Sequence, residues 1–120
     1  MASVLHVSYS DIGGGAARAA YRLHQSLLNQ DIDSGMKVRL KKSDNWTVRG
    51  PCGGFARASA MLRPALGGLV CRMQKNDNVN LHSGNWLPSR WAREINASGA
   101  DVVNLHWVGM EALSIEDIGR

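Results

Sequence analysis

Three consecutive glycines, Gly13–Gly15, constrain the fold of this chain more than any other feature, because they join two segments of different periodicity. The segment before them, Val4–Tyr9, is a short apolar run rich in β-branched residues and predicts a buried strand. After them, small and apolar residues recur at helical spacing and predict an amphipathic helix that ends near Asn29–Gln30: Ala16, Ala20, Leu23 and Leu27. Alternation in Met36–Leu40 predicts a second strand, so the chain opens with a parallel βαβ unit.

The middle of the chain predicts one loop and one long helix. Residues 44–54 contain Gly50–Pro51 and Gly53–Gly54, which favour a loop with a short extended piece at Trp46–Val48. Apolar residues then repeat at helical intervals, with a kink or a break into two helices expected at Pro64: Phe55, Ala58, Leu62, Leu66, Leu69 and Met73. We expect this helix to pack through its apolar stripe and to expose its charged residues.

The last part of the chain predicts a weak strand at Val79–Leu81, a helix that begins at Pro88–Ser89 and a strand over Asp101–Trp107. The helix carries an apolar stripe formed by Trp91, Ala92 and Ile95. Further on, Ser114 with Asp117 three residues later resembles the capping arrangement of a new helix.

The predicted fold class is α/β, a Rossmann-like parallel sheet with flanking helices. The chain has 120 residues and stops at Arg120, about one helical turn after the cap at Ser114. So short a helix gains too few hydrogen bonds to offset the cost of ordering it. We therefore expect residues 1–120 to be one incomplete domain of a longer protein.

Charge and cysteine content narrow the class of partner and the compartment. The formal net charge of +4 favours anionic partners, but the basic residues are scattered without base-stacking aromatics, so nucleic-acid binding is not predicted. Cys52 and Cys71 lack CxxC spacing, which indicates a reducing compartment. There is neither an apolar stretch of membrane-spanning length nor a leader-like N-terminus, so a cytoplasmic location is expected.

The glycine run is the strongest candidate site. Without side chains at Gly13, Gly14 and Gly15, the backbone can approach an anion, and the first amides of the following helix stabilise negative charge. Arg18 in the first helical turn is a candidate phosphate ligand, or part of a solvated helix face. The alternative for the run itself is a tight turn without a ligand. Neither the GxGxxG spacing of NAD sites nor the GK[ST] ending of P-loops is present, and no cofactor is predicted.

His106 and Trp107 form the second candidate site, because they lie at the carboxyl end of the last predicted strand. Ligands of open parallel sheets bind at this edge, on the side of the glycine run. A histidine there can bind a hydroxyl group and a tryptophan can stack on a sugar ring. The alternative is a core histidine and a tryptophan that fills the end of the sheet. The spacing of the histidines does not predict a metal site.

The sequence also predicts two possible interactions of the protein surface. The basic residues of the helix predicted over 55–75 suit either anionic lipid headgroups or the charged outer face of a packed helix. Unpaired edges of an incomplete sheet favour a homodimer of the fragment.

Two stretches of the chain, taken in order, resemble a known family. The first comprises Val4–Ser8, Gly13–Ala20 and Leu23–Leu28, and the second comprises Ala100–Gly109 followed by Leu113–Ile115. Together they resemble the N-terminal domain of bacterial glycosyltransferases of family four, which have two Rossmann-like domains in the GT-B arrangement. One departure is Asp31, which stands where the family has a glycine after the first helix.

This resemblance implies an enzyme of surface polysaccharide synthesis. Such an enzyme transfers a hexose from a nucleotide-sugar donor to a saccharide or lipid-linked acceptor, with retention of configuration and without a metal ion. The N-terminal domain would mainly handle the acceptor, while the glycine loop, Gly13–Gly15, and with it His106, would approach the phosphate or sugar of the donor. The donor-binding domain would lie outside this chain, leaving the fragment inactive. The alternative is a non-catalytic, flavodoxin-like module that binds an anion or a protein.

Overall fold

The computed structural model describes residues 1–73 and 85–119, and within these ranges the chain is an α/β fold built on a parallel sheet. The strands are β1 (Ser3–Ser10), β2 (Asp33–Leu40), β3 (Val48–Arg49) and β4 (Val102–Leu105), in the order β3-β2-β1-β4. The helices are α1 (Gly15–Leu28), α2 (Gly54–Met73), α3 (Trp91–Asn96) and α4 (Ile115–Ile118). The predicted βαβ start is confirmed, while the strand predicted at Val79–Leu81 lies outside the described residues.

One face of the sheet packs against α3. Parallel register pairs Val7 of β1 with Lys37 of β2 and Leu105 of β4. Because side chains alternate along a strand, one set of them meets α3 and forms an apolar cluster: Leu5, Val7, Trp91, Ile95 and Leu113. The Arg39 guanidinium lies 4.0 Å from the centroid of the Trp91 ring and covers this cluster. The predicted helix and strand over this part of the chain are confirmed.

The other face of the sheet lies under α1, and here one expectation is wrong. Ala20 packs over an apolar cluster of the sheet edge made by Met36, Val38 and Val48. The buried residues of α1 are Ala17, Ala20 and His24, whereas Ala16 and Leu23, both assigned to the apolar stripe, are exposed. The helix is rotated from the predicted orientation because the His24 ring finds hydrogen-bond partners beneath it and small alanines allow close approach.

The helix α2 also departs from the expectation. It runs as one helix through Pro64, and the residues that face the protein are small, Ala60 and Gly67. Its apolar stripe is exposed, with Phe55 at 90% and Met73 at 78% of their full accessible surface. Within the described residues no helix is long and apolar enough to cross a membrane.

Two polar side chains explain this orientation of α2. Arg63 donates to the main-chain carbonyls of Leu87, Pro88 and Glu111, which ties the helix to the segment before α3 and to the turn after β4. Glu111 is buried and accepts a hydrogen bond from the Leu87 amide. These bonds hold the Arg63 side of the helix inward, so the apolar stripe points outward.

The sequence analysis singled out two helix ends, the start of α4 and the end of α1. Ser114 caps α4, since its hydroxyl accepts a hydrogen bond from the Asp117 amide at 3.0 Å, and the predicted capping arrangement is confirmed. After α1, Asp31 has a φ of 57°, in the left-handed region that favours glycine. The position therefore keeps the geometry of a glycine cap although its residue is an aspartate.

Two adjacent glycines of α2 test this packing. A Cβ at Gly67 would overlap the side chain of Glu111, so Gly67→Ala should lower the free energy of unfolding by about 1–3 kcal/mol. A Cβ at Gly68 meets nothing within 4 Å, so Gly68→Ala should raise it by about 0.5–1 kcal/mol through helix propensity. Urea unfolding measures both. Equal effects of the two substitutions would contradict the described packing of α2.

Candidate functional site

The glycine loop, Gly13–Gly15, leaves β1 at its carboxyl end and enters α1. The Gly13 amide donates to Ser10 Oγ at 3.0 Å, and a Cβ at Gly13 would come within 2.8 Å of that oxygen. Gly14 has a φ of 103°, a backbone conformation in which a residue with a side chain would be strained. Gly14 and Gly15 are exposed, and within the described residues their amides donate no hydrogen bond. Two unused main-chain donors therefore stand at the N-terminus of a 14-residue helix.

A buried carboxylate holds this loop in place. Asp11 has no exposed surface, and its two oxygens accept hydrogen bonds from the amides of Ile12 at 2.9 Å, Lys42 at 2.9 Å and Ser43 at 2.8 Å. Burial by itself would raise the pKa of Asp11, but the hydrogen bonds from Ser43 and Lys42 outweigh it and keep the pKa below its usual value. The charged Asp11 side chain thus joins the turn after β1 to the turn after β2.

Two cationic side chains lie beside the glycine loop. The Lys42 Nζ atom is 3.5 Å from the position that a Cβ of Gly13 would occupy. The Arg18 Nε atom approaches the Ile12 carbonyl oxygen at 3.4 Å, which turns the guanidinium back towards the loop. Neither cation forms an ion pair with a carboxylate of the described residues. Their charges add to the positive end of α1, so the loop surface attracts anions.

A cluster of histidines lies on the α1 face of the sheet. The His6 Nδ1 and His106 Nε2 atoms are 2.9 Å apart, with the rings stacked at 5.1 Å between centroids. The His24 ring meets that of His6 edge-on at 5.9 Å. The two ring nitrogens of His24 are each 2.7 Å from a hydroxyl oxygen, those of Ser34 and Thr47. Neighbouring strands and α1 thus bring together three histidines that are distant in sequence.

All three histidines are held neutral. Burial, followed by the charges of His106 and His24, lowers the pKa of His6 from 6.5 to about 4. Burial also lowers the pKa values of His24 and His106. One proton shared between His6 and His106 satisfies their contact, while His6 Nε2 is buried without a hydrogen-bond partner in the described part of the chain. No set of three or more His, Cys, Asp or Glu residues in that part is arranged to hold a metal ion.

Trp107 follows His106 but has different neighbours. Its ring is 48% exposed and meets the Tyr9 ring edge-on, with 5.9 Å between centroids. Its carbonyl accepts a hydrogen bond from the Tyr9 amide at 2.9 Å. Side-chain alternation therefore places Trp107 on the Tyr9 face of the sheet and His106 on the face of His6.

The predicted site residues thus fall into three groups. Gly13–Gly15 and Arg18 lie together, His106 joins the histidine cluster, and Trp107 pairs with Tyr9. That they line one ligand cleft stays a prediction. Sequence reasoning missed Asp11, Lys42 and the contact of the three histidines. The polar residues at every second position of β1, which are His6, Ser8 and Ser10, were the available signal for a polar sheet face.

Gly14 and Gly15 lie on an open surface, since a Cβ at either position would have no neighbour within 4 Å. Two shallow grooves of the described residues lie elsewhere, along α2.

Comparison of the chain with protein-family models, curated proteins and solved structures finds no match.

The anchoring role of Asp11 is testable by truncation. Asp11→Ala leaves three amides without their buried acceptor, so we expect the free energy of unfolding to fall by about 2–4 kcal/mol. Asp101→Ala is the matched control, because Asp101 also accepts from an amide, that of Ser3, but on an exposed surface. Urea unfolding should show a much smaller loss for the control, and similar losses would contradict the anchoring role.

The histidine cluster predicts a loss of stability in mild acid. Below its ordinary pKa of 6.5, His6 takes up a proton in the unfolded chain, whereas in the folded protein it does so only near pH 4. The free energy of unfolding should therefore fall as pH decreases, by about 2 kcal/mol from His6 alone between about pH 7 and pH 5. Urea unfolding across this range measures the fall, and NMR titration of the ring protons assigns it. A His6 ring that titrates near 6.5 would contradict the prediction.

Proposed function

We propose that this chain is the N-terminal, acceptor-side portion of a retaining glycosyltransferase of the GT-B type. The enzyme would transfer a hexose from a nucleotide-sugar donor to a saccharide or lipid-linked acceptor in surface polysaccharide synthesis. The observation that carries the proposal is the pair of unused amides at Gly14 and Gly15, exposed at the start of α1 and flanked by Arg18 and Lys42. The resemblance of two stretches to that family supports it, the first made of Val4–Ser8, Gly13–Ala20 and Leu23–Leu28 and the second of Ala100–Gly109 and Leu113–Ile115.

The geometry suggests how the loop would act. Sugar transfer from a nucleotide donor releases a nucleoside diphosphate, so negative charge grows on the phosphate oxygens as the glycosidic bond breaks. Fixed amides and cations stabilise that charge without reorganising, because the Asp11 anchor has already oriented the loop. Gly14 and Gly15 would receive the phosphate or the adjoining sugar, and Arg18 and Lys42 would supply positive charge.

A second candidate function is a non-catalytic module that binds an anion. One observation favours it: the acidic side chain of the loop, Asp11, is buried and used by main-chain amides. The Asp11 carboxylate is thus not available to a ligand for acid–base chemistry. Both candidates require anion binding at the loop, and turnover of a nucleotide sugar by the longer protein distinguishes the enzyme from the module.

The proposal predicts that a side chain at the loop blocks nucleotide binding. Gly15→Val adds a branched side chain at the first residue of α1, where a Cβ meets nothing within 4 Å. We expect uridine or guanosine diphosphate to bind about 10-fold or more weakly, because hydrogen bonds to a charged group are lost. The measurement is isothermal titration calorimetry on the full chain, with the plain nucleoside as the uncharged reference.

Gly54→Val is the matched control for this experiment. Gly54 is likewise the first residue of its helix and has open space around it, but it lies at the start of α2. Nucleotide affinity should be unchanged in this variant. Equal affinity of the wild-type chain and Gly15→Val would remove the loop from the site, and an absence of any diphosphate binding would contradict the anion-binding role that both candidate functions give to the loop.

A further inference from the structure

The contact between His6 and His106 has the geometry of a hydrogen bond between two imidazole rings. The His6 Nδ1 and His106 Nε2 atoms are 2.9 Å apart, the ring planes differ by 25° and the ring centroids are 5.1 Å apart. Because the centroid distance is close to the nitrogen–nitrogen distance plus the two ring radii, both nitrogens lie nearly on the line between the ring centres. Each nitrogen therefore meets the other in the plane of its ring, where an imidazole donates or accepts, and one of the two carries the shared proton.

The other nitrogen of each ring has different surroundings. His6 has no exposed surface, and its Nε2 atom is buried without a hydrogen-bond partner in the described part of the chain. His106 is half-buried, and its Nδ1 atom neither bonds to a described residue nor belongs to the buried atoms that lack a partner, so it reaches the surface. The protein thus buries one end of the histidine pair and exposes the other.

The ring of His24 cannot serve the buried end of the pair. It meets the His6 ring edge-on at 5.9 Å, but both of its nitrogens are already 2.7 Å from hydroxyl oxygens, those of Ser34 and Thr47. The Oγ atom of Ser8, two residues along the same strand, is buried without a partner of its own among the described residues. No described side chain near His6 therefore accepts a proton from its Nε2 atom.

A neutral pair can carry its protons in two arrangements. In the first, His6 donates from Nδ1, its buried Nε2 is a bare nitrogen, and His106 carries its own proton on the exposed Nδ1. In the second, His106 donates from Nε2, and the proton of His6 lies on its buried Nε2, as an N–H group without an acceptor. Buried N–H groups without a partner are rarer in folded proteins than acceptors with a spare lone pair. The burial of His6 therefore favours the first arrangement.

We propose that His6 is a positioning residue that holds His106 in the Nδ1–H form, so that His106 presents a hydrogen-bond donor at the protein surface and not a proton acceptor. The atom that His106 binds is then one with a lone pair, such as an oxygen of a substrate. His106 would hold that oxygen in place and would not remove a proton from it. The tautomer depends on the histidine pair alone, and only its use by a substrate rests on the proposed function.

NMR of the full chain labelled with nitrogen-15 tests the proposal directly. Long-range correlation spectra at neutral pH distinguish a protonated ring nitrogen from a bare one at each histidine. We expect protons on Nδ1 of both His6 and His106, with the Nδ1–H form of His106 in excess by about 10-fold. A proton on Nε2 of His106, or an even mixture of the two forms, would overturn the proposal.

Two substitutions at His6 test its positioning role. His6→Asn keeps an N–H donor near the place of Nδ1, so His106 should stay in the Nδ1–H form. His6→Leu has no donor, so His106 should change to the Nε2–H form that free neutral histidine prefers. His24→Gln is the control, because it alters a ring beside His6 but not the atom that faces His106, and it should leave the tautomer unchanged.

The outcomes separate this inference from the proposed function. An Nδ1–H form that persists in His6→Leu, or that is lost equally in His6→Asn, would overturn the role of His6. The wild-type spectrum decides the tautomer even where a variant does not fold, which circular dichroism verifies. An absence of diphosphate binding would contradict the role of the glycine loop without changing the tautomer of His106, so the two failures are distinguishable.

Discussion

The buried carboxylate of Asp11 connects the two turns on which the proposed site depends. It accepts hydrogen bonds from the amide of Ile12, in the turn after β1, and from the amides of Lys42 and Ser43, in the turn after β2. Removing a charged group from water is costly, so the bonds must be well formed for the carboxylate to stay ionised. Because the turns are joined in this way, the glycine loop is presented at a fixed position, with the Lys42 ammonium beside it.

The two faces of the sheet then have different roles. On the α3 face, apolar packing around Trp91 provides the ordinary stability of a parallel sheet. On the α1 face, polar side chains replace part of the core, and three histidines, one of them in α1 itself, remain neutral. The glycine loop leads directly into that helix, whose position over the sheet is held by the contacts of His24 with Ser34 and Thr47.

Residues close in sequence predicted the helices and strands, whereas contacts between residues distant in sequence decide which side chains those helices and strands expose. The β1–α1–β2 unit and the Ser114 cap follow from residues close in sequence, and both are confirmed. The buried face of α1 was mispredicted because hydroxyl partners for His24 come from β2 and the loop before β3. The exposure of the apolar stripe of α2 was mispredicted, because apolar spacing shows that a helix has a stripe but not whether the protein covers it. Asp11 gave no signal, since its acceptor role depends on amides about thirty residues away.

The central claim is that the amides of Gly14 and Gly15 are available to an anion. NMR titration of the full chain with inorganic pyrophosphate tests it most directly, because each backbone amide gives its own signal. The largest and saturable shifts should appear at Gly14 and Gly15, with smaller ones at Arg18 and Lys42, and none at the comparable helix start of Gly54. Unchanged signals at Gly14 and Gly15 while pyrophosphate shifts other parts of the chain would contradict the claim.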